Sequence, residues 1–192
     1  RSQAYCKCDR KSCRAKKHYS LSMSKYINGY RCMPDRMLKQ LMQFICGDDE
    51  RIAFVSISEL CKEAKENPKV YHYMDLYFKM LSNRNPSLRR RGIIMIKACA
   101  KWDSKEKITQ NFQSLAKLIK DRNKIVAVEC IKCIPELVSA KPEIAPLAYN
   151  ALTGVNVSEL EEDTRPLLVS TLREAAAKVS DYIKCDECSS FE

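Results

Sequence analysis

Residues 85–96 read Asn85-Pro86-Ser87-Leu88-Arg89-Arg90-Arg91-Gly92-Ile93-Ile94-Met95-Ile96, and this stretch decides the fold. Asn85 is an N-cap residue: its side-chain carbonyl can take amide N–H groups that the first turn of a helix leaves open. Pro86 stands at the first helical position, where its missing N–H is no loss. Gly-Ile-Ile-Met-Ile at 92–96 is apolar almost all round, which predicts a helix covered on several sides. The same order recurs on either side. Asp49 is followed by Ile52, Ser56, Ile57 and Leu60, and Asn123 by Val126, Cys130, Ile131 and Ile134. The caps are 36 and then 38 residues apart. In each copy an aliphatic follows the cap at the third position and a small residue (Ser56, Gly92, Cys130) four later. Aliphatics then stand one and four beyond the small residue. A small residue lets a neighbouring helix approach, and the aliphatics fill the layer between.

Outward from these copies the pattern stays helical from Pro34. Met37, Leu38, Leu41, Met42 and Ile45 form a stripe that stops at Gly47, a C-cap position. Asp48 or Asp49 caps the next helix, which carries Ile52, Phe54, Val55, Ile57, Leu60 and Ala64 and ends near Asn67-Pro68. Further helices are predicted over 70–81, 86–102, 105–120, 124–140, 143–153 and 165–184. Ser158-x-x-Glu161 is a capping-box pattern, and Thr164 before Arg165-Pro166 is a second start signal. A two-helix unit of this period, stacked three or more times, is the signature of an α-solenoid. The expected organisation is a basic, Cys-bearing arm over residues 1–33, a helical repeat domain over 34–184 and a tail over 185–192. The chain begins at Arg1, and Met23 is a candidate native start.

Composition agrees with an all-α class. Only 4 Gly stand in 192 residues, too few for the turns of an all-β fold, and none groups into a phosphate-binding loop. The longest aliphatic run, Ile93–Ile96, is far short of the roughly 20 residues that span a bilayer, so no membrane partner is expected. Eleven Cys without a secretory signal predict reduced thiols and a cytoplasmic chain. Cys46, Cys61, Cys99, Cys130 and Cys133 fall in apolar helical patterns and read as small hydrophobes. The terminal ones differ: Cys6, Cys8, Cys13 and His18 offer three thiolates and an imidazole at short spacing, and Cys185-x2-Cys188 offers two more. They are the candidate zinc ligands, beside the plainer reading of an oxidisable basic tail.

The net charge of +10 is uneven. Residues 1–45 hold 11 Lys+Arg against 2 Asp+Glu, residues 46–125 hold 17 against 10, and residues 126–192 hold 6 against 12. Arg90, Lys97 and Lys101 share one helical stripe. With Arg89, Arg91, Lys105, Lys107, Arg122 and Lys124 they form the candidate nucleic-acid-binding set, since equivalent faces of stacked units would align. The aromatics are few and read as buried, so base stacking is not expected.

The period and the cap–aliphatic–small–aliphatic order resemble HEAT repeats over roughly residues 35–184. Asn83-Arg84-Asn85-Pro86-x3-Arg90-Arg91-Gly92-Ile93, Ala100-Lys101-Trp102-Asp103-x4-Ile108 and Ala127-x2-Cys130-Ile131-Lys132-x2-Pro135-Glu136-x4-Lys141-Pro142 are similar to a group of small bacterial HEAT-repeat proteins often labelled "SufBD protein". That resemblance implies a stack of helical hairpins and no catalytic residues; the iron–sulfur role in the label is not carried over. In HEAT repeats an Arg near a helix start commonly bonds a carboxylate of the adjacent unit, and Asp103 and Asp121 are available for it. Trp102-Asp103-x2-Glu106 is loosely similar to the Trp-Asp-x-x-Asp stretch of AlkD-type DNA glycosylases, with Glu where that family has Asp. The likeness implies Trp102 as an aromatic and Glu106 as a carboxylate beside an extruded base. A single Trp at an inter-helix corner is, on the other reading, a packing residue. The expected function is a non-catalytic scaffold that binds another macromolecule, first a protein and alternatively nucleic acid. No cofactor is expected beyond the zinc of the terminal Cys.

Overall fold

The computed structural model describes residues 33–189, with side chains to residue 183. Among the described residues every regular element is helical. In chain order the α-helices are α1 (Asp35–Ile45), α2 (Glu50–Glu66), α3 (Met74–Met80), α4 (Pro86–Cys99), α5 (Lys107–Ala116), α6 (Lys124–Ala140), α7 (Ala145–Thr153) and α8 (Arg165–Ser189). Several predicted helices are divided. Residues 68–73, 100–102, 117–120 and 142–144 are 3-10 turns that enter or leave the α-helices. No helix among the described residues is long and apolar enough to cross a membrane.

The three caps form as their residue types dictate. Asp49 accepts from the amides of Arg51 and Ile52, Asn85 from Ser87, and Asn123 from Ile125 and Val126. The turns ahead of α4 and α6 are built alike: the Asn85 amide donates to the Asn83 side chain, and the Asn123 amide to Asp121. Two end signals act differently from expectation. Gly47 is not in the left-handed region, so its amide bond to the Phe44 carbonyl does not require glycine. The capping box at Ser158 does not form: Asn156 caps a short 3-10 turn there, and α8 begins after Thr164, at the second start signal.

The helices alternate between two rows. In one row α2 packs on α4, α4 on α6 and α6 on α8. Helices α1, α3 and α7 each lie against the second-row helix that follows them, and the 117–120 turn extending α5 lies against α6. Cross-links between second-row helices keep a nearly constant separation in sequence. Arg90 meets Glu129 and Lys97 meets Glu136, both 39 residues on. Trp102 meets Ala64, 38 residues back. A constant offset means that α2, α4 and α6 run parallel, so their N-termini share one edge of the molecule and their C-termini the other.

The small residues stand at the row-to-row contacts. A methyl on Gly92 would come within 2.8 Å of the Tyr77 carbonyl. Fifteen residues separate those two, as fifteen separate Cys130 from Leu115, whose carbonyl accepts from the Cys130 thiol. The core is one continuous cluster running from Leu38 to Val179, with Tyr77, Phe112, Met95 and Ile131 among its fully buried members. On α2 the buried face is Ala53, Ser56, Leu60 and Ala64, not the full apolar set read from sequence: Phe54 and Val55 face solvent.

Candidate functional site

Arg89, Arg90 and Arg91 begin α4, and each is committed to a protein partner. Arg89 makes a two-pronged pair with Asp121, at 2.6 and 2.7 Å, and also donates to the carbonyls of Asn83 and Arg84. That fork-to-carboxylate geometry is the strong form of an ion pair, and it is largely buried. Arg91 is buried and donates to the carbonyls of Ile45 and Gly47 while pairing with Glu50. Arg90 pairs with Glu129, Lys97 with Glu136 and Lys107 with Asp75. Lys101 donates to the Lys65 carbonyl. Six of the nine cations in the sequence-predicted set therefore hold protein acceptors. Lys105, Arg122 and Lys124 are exposed and make no ion pair with a described residue.

Trp102 is a packing residue in this arrangement. Its indole N–H donates to the Ala64 carbonyl at 2.6 Å, and the Lys101 ammonium stands 4.6 Å from its ring centroid. Its N–H is thus bonded, one ring face lies beside the Lys101 ammonium, and the ring packs half-buried against the core. Glu106 is exposed, with a positive φ of 54°, and ends the turn before α5 without capping it.

A pattern invisible from the spacing appears at the C-terminal edge. The last carbonyls of a helix lack intrahelical partners and carry the negative end of its dipole. Here they are taken by side chains of the next second-row helix. Trp102 and Lys101 cap the end of α2, and Lys141 donates to the carbonyl of Asp103, which closes the 3-10 turn after α4. Asn67, Asp103 and Lys141 occupy equivalent positions at the same offsets of 36 and 38, so repeat alignment could have paired Lys141 with Asp103. Asp103 is the hub of this edge. Its carboxylate is fully buried and accepts from the Tyr71 hydroxyl and from the Lys107 and Ile108 amides, with the Lys141 ammonium 3.4 Å away. Burial, reinforced by the hydrogen bond to Asp103, pushes the Tyr71 hydroxyl up to about 12. Burial opposes the charge on Lys141, but the hydrogen bond with Glu143 and the charge of Asp103 outweigh it and raise its pKa.

The outer face of the second row carries two grooves. The first, about 300 Å³, lies between α2 and α4 and is lined by Phe54, Ile57, Ile94, Arg90 and Glu50 among others. Phe54 is 75% exposed. The second, about 810 Å³, lies between α6 and α8, where Lys132, Glu136, Glu174, Lys178 and Asp181 mix both signs of charge around Pro135 and Tyr182. The Arg90–Glu129 and Lys97–Glu136 pairs bridge α4 to α6 between them. This face is thus apolar at one groove and of mixed charge elsewhere, not a continuous positive track. Phe54 has Arg90 and Val128 as repeat equivalents, so an aromatic there is particular to the first copy.

The buried thiols carry no reactive signature. Burial pushes the Cys99 thiol up to about 12 and raises Cys130 and Cys133 as well, which keeps them protonated. Cys61 is half-buried, and Cys46 is exposed rather than packed. Among the described residues no His, Cys, Asp and Glu group in a way that could hold a metal. Cys6, Cys8, Cys13 and His18, and the side chains of Cys185 and Cys188, lie outside the described residues.

No protein-family model, curated protein or solved structure matches the chain.

Proposed function

We propose that the chain is a HEAT-like α-solenoid, and that it acts as a non-catalytic scaffold whose second-row face binds another macromolecule, a protein. Parallel second-row helices and constant cross-link offsets support the solenoid reading. The observation that carries the binding reading is Phe54: a large aromatic, three-quarters exposed, in a groove with Ile57 and Ile94 and rimmed by Arg90 and Glu50. An apolar centre with a polar rim is the anatomy of a protein interface, and an aromatic at its centre is the usual energetic anchor. The rival expectation, nucleic acid held by the stripe from Arg89 to Lys124 with Trp102 and Glu106 at a base, has less support on this face. Arg89, Arg90, Arg91, Lys97 and Lys107 of that stripe are paired with carboxylates, Lys101 is held by a carbonyl, and the indole N–H is bonded.

Phe54→Ser tests the reading without endangering the fold, because an exposed substitution of this kind changes stability by about 0.5 kcal/mol or less. Affinity purification from nuclease-treated extract of the native cell is the measurement. The expected result is a polypeptide retained in stoichiometric amount by the wild type and lost with Phe54→Ser. Identical retention by both proteins places the interface elsewhere.

A further inference from the structure

Five of the exposed cations that make no ion pair with a described residue gather on one edge of the molecule. Because α4 and α6 run parallel, the turns leading into them lie side by side on one edge. Lys79 and Arg84 come from the end of α3 and the turn after it; Lys117, Arg122 and Lys124 come from the corresponding end of α5 and start of α6. Lys79 and Lys117, like Arg84 and Arg122, are 38 residues apart, the same offset as the caps Asn85 and Asn123. All five side chains are exposed, and none makes an ion pair with a described residue. On the neighbouring face, in contrast, Arg89, Arg90 and Lys97 are all paired. The first turns of α4 and α6 also contain no acidic residue. Arg84, Arg122 and Lys124 stand at the positive ends of the α4 and α6 dipoles, where a cation is unfavourable without an anion, whereas Lys79 and Lys117 stand at the C-terminal ends of α3 and α5, where a cation is favourable.

We propose that this edge binds the phosphate backbone of nucleic acid through Lys79, Arg84, Lys117, Arg122 and Lys124, without reading base sequence. Lys79 and Arg84 are repeated as Lys117 and Arg122 at one helix-to-helix spacing, about 8–10 Å, and with Lys124 beside the second pair they form a row that a charged strand can follow. None is flanked by an exposed aromatic, and the indole of Trp102 is on the opposite edge, so the contact is with phosphates and not with base faces. The ends of the row exclude a planar anionic surface. Asp48 lies on the same edge at one end, and Glu161, Glu162 and Asp163 at the other. A membrane broad enough to cover the edge meets both signs, whereas a strand crossing the two central copies meets cations. Three carboxylates share a groove with Arg122 and Lys124: Asp121 is held by Arg89 and Glu159 by Lys120, while Glu161 makes no ion pair with a described residue and marks where the cationic row ends. This surface is separate from the Phe54 groove and does not depend on it.

Residues 1–32 hold nine Lys+Arg against one Asp, so the full chain can attract a polyanion through that segment as well. The test therefore compares two double variants in the full chain. Arg84→Gln/Arg122→Gln removes two edge cations; Arg36→Gln/Lys65→Gln removes two exposed cations of the opposite edge that make no ion pair with a described residue. Fluorescence anisotropy with a labelled mixed-sequence duplex is read between about 50 and 200 mM salt. The edge variant is expected to bind about tenfold more weakly, with a log–log salt slope shallower by about 2, while the control stays within about twofold of wild type. Equal losses in the two variants, or no loss in the edge variant, overturn the proposal. So does binding to anionic lipid vesicles in the absence of duplex binding. Matching melting temperatures for the three proteins establish that any loss is not one of folding.

Discussion

Asp103→Ala is expected to destabilise the protein by about 3–5 kcal/mol, the cost of stripping one partner from a buried charge pair. The carboxylate is fully buried and serves four groups at once. Its removal leaves the Tyr71 hydroxyl and the first two amides of α5 without acceptors, and the Lys141 ammonium with only the half-exposed Glu143 as counter-charge. Each unsatisfied buried group adds about 1–3 kcal/mol, so the effect spreads to the α4–α5 corner and to the end of α6. Asp103→Asn keeps an acceptor and is expected to cost less, about 1–2 kcal/mol. Urea unfolding of the three proteins measures the difference. A loss under about 1 kcal/mol for Asp103→Ala means that the corner is held by packing alone.

Gly92→Val is the second large effect, expected at about 2–3 kcal/mol from overpacking. The nearest atom to a new Cβ is the Tyr77 carbonyl oxygen at 2.8 Å, with Met80 and Leu81 side-chain atoms at 3.1 Å. A carbonyl in a neighbouring helix cannot rotate away as a side-chain tip can, so α3 and α4 must separate. The gain in helix propensity over glycine, up to about 1 kcal/mol, is too small to compensate. Gly47→Ala is the internal comparison: its Cβ would meet only ordinary contacts, at 3.5 and 3.7 Å. Its backbone is not left-handed either. Thermal melts should show a clear drop for Gly92→Val and little change for Gly47→Ala; equal shifts would remove the argument for close helix approach at residue 92.

These two residues also show what the chain discloses before folding. Gly92 was legible because the cap–aliphatic–small–aliphatic order recurs at a fixed offset, and capping and side-chain size are local properties. The caps at Asp49, Asn85 and Asn123 and the main helical spans follow from the same local chemistry. The division of helices into 3-10 and α segments did not, since it depends on where each end is clamped by its neighbour. Charge was the least legible feature. Arg90 and Lys97 look like part of a basic stripe until α6 brings Glu129 and Glu136 to them across 39 residues. Lys79 and Arg84 do not show as part of a basic surface because they are not consecutive on any one helix; only the 38-residue offset aligns them with Lys117 and Arg122. Phe54 reads as core in an apolar helix, and only burial of the Ala53–Ser56–Leu60–Ala64 face shows that it points outward.

The claim beneath the whole account is that successive helical hairpins stack side by side in register, so that equivalent elements of neighbouring copies lie together. Zero-length carbodiimide coupling reads this directly, because it joins a lysine to a carboxylate only where the two already touch. Mass spectrometry of the coupled protein should show Lys97 joined to Glu136 and Lys120 to Glu159, each across 39 residues, and Lys107 joined to Asp75 across 32. Links from these lysines to carboxylates at unrelated separations, with none at these three, would contradict the parallel stack.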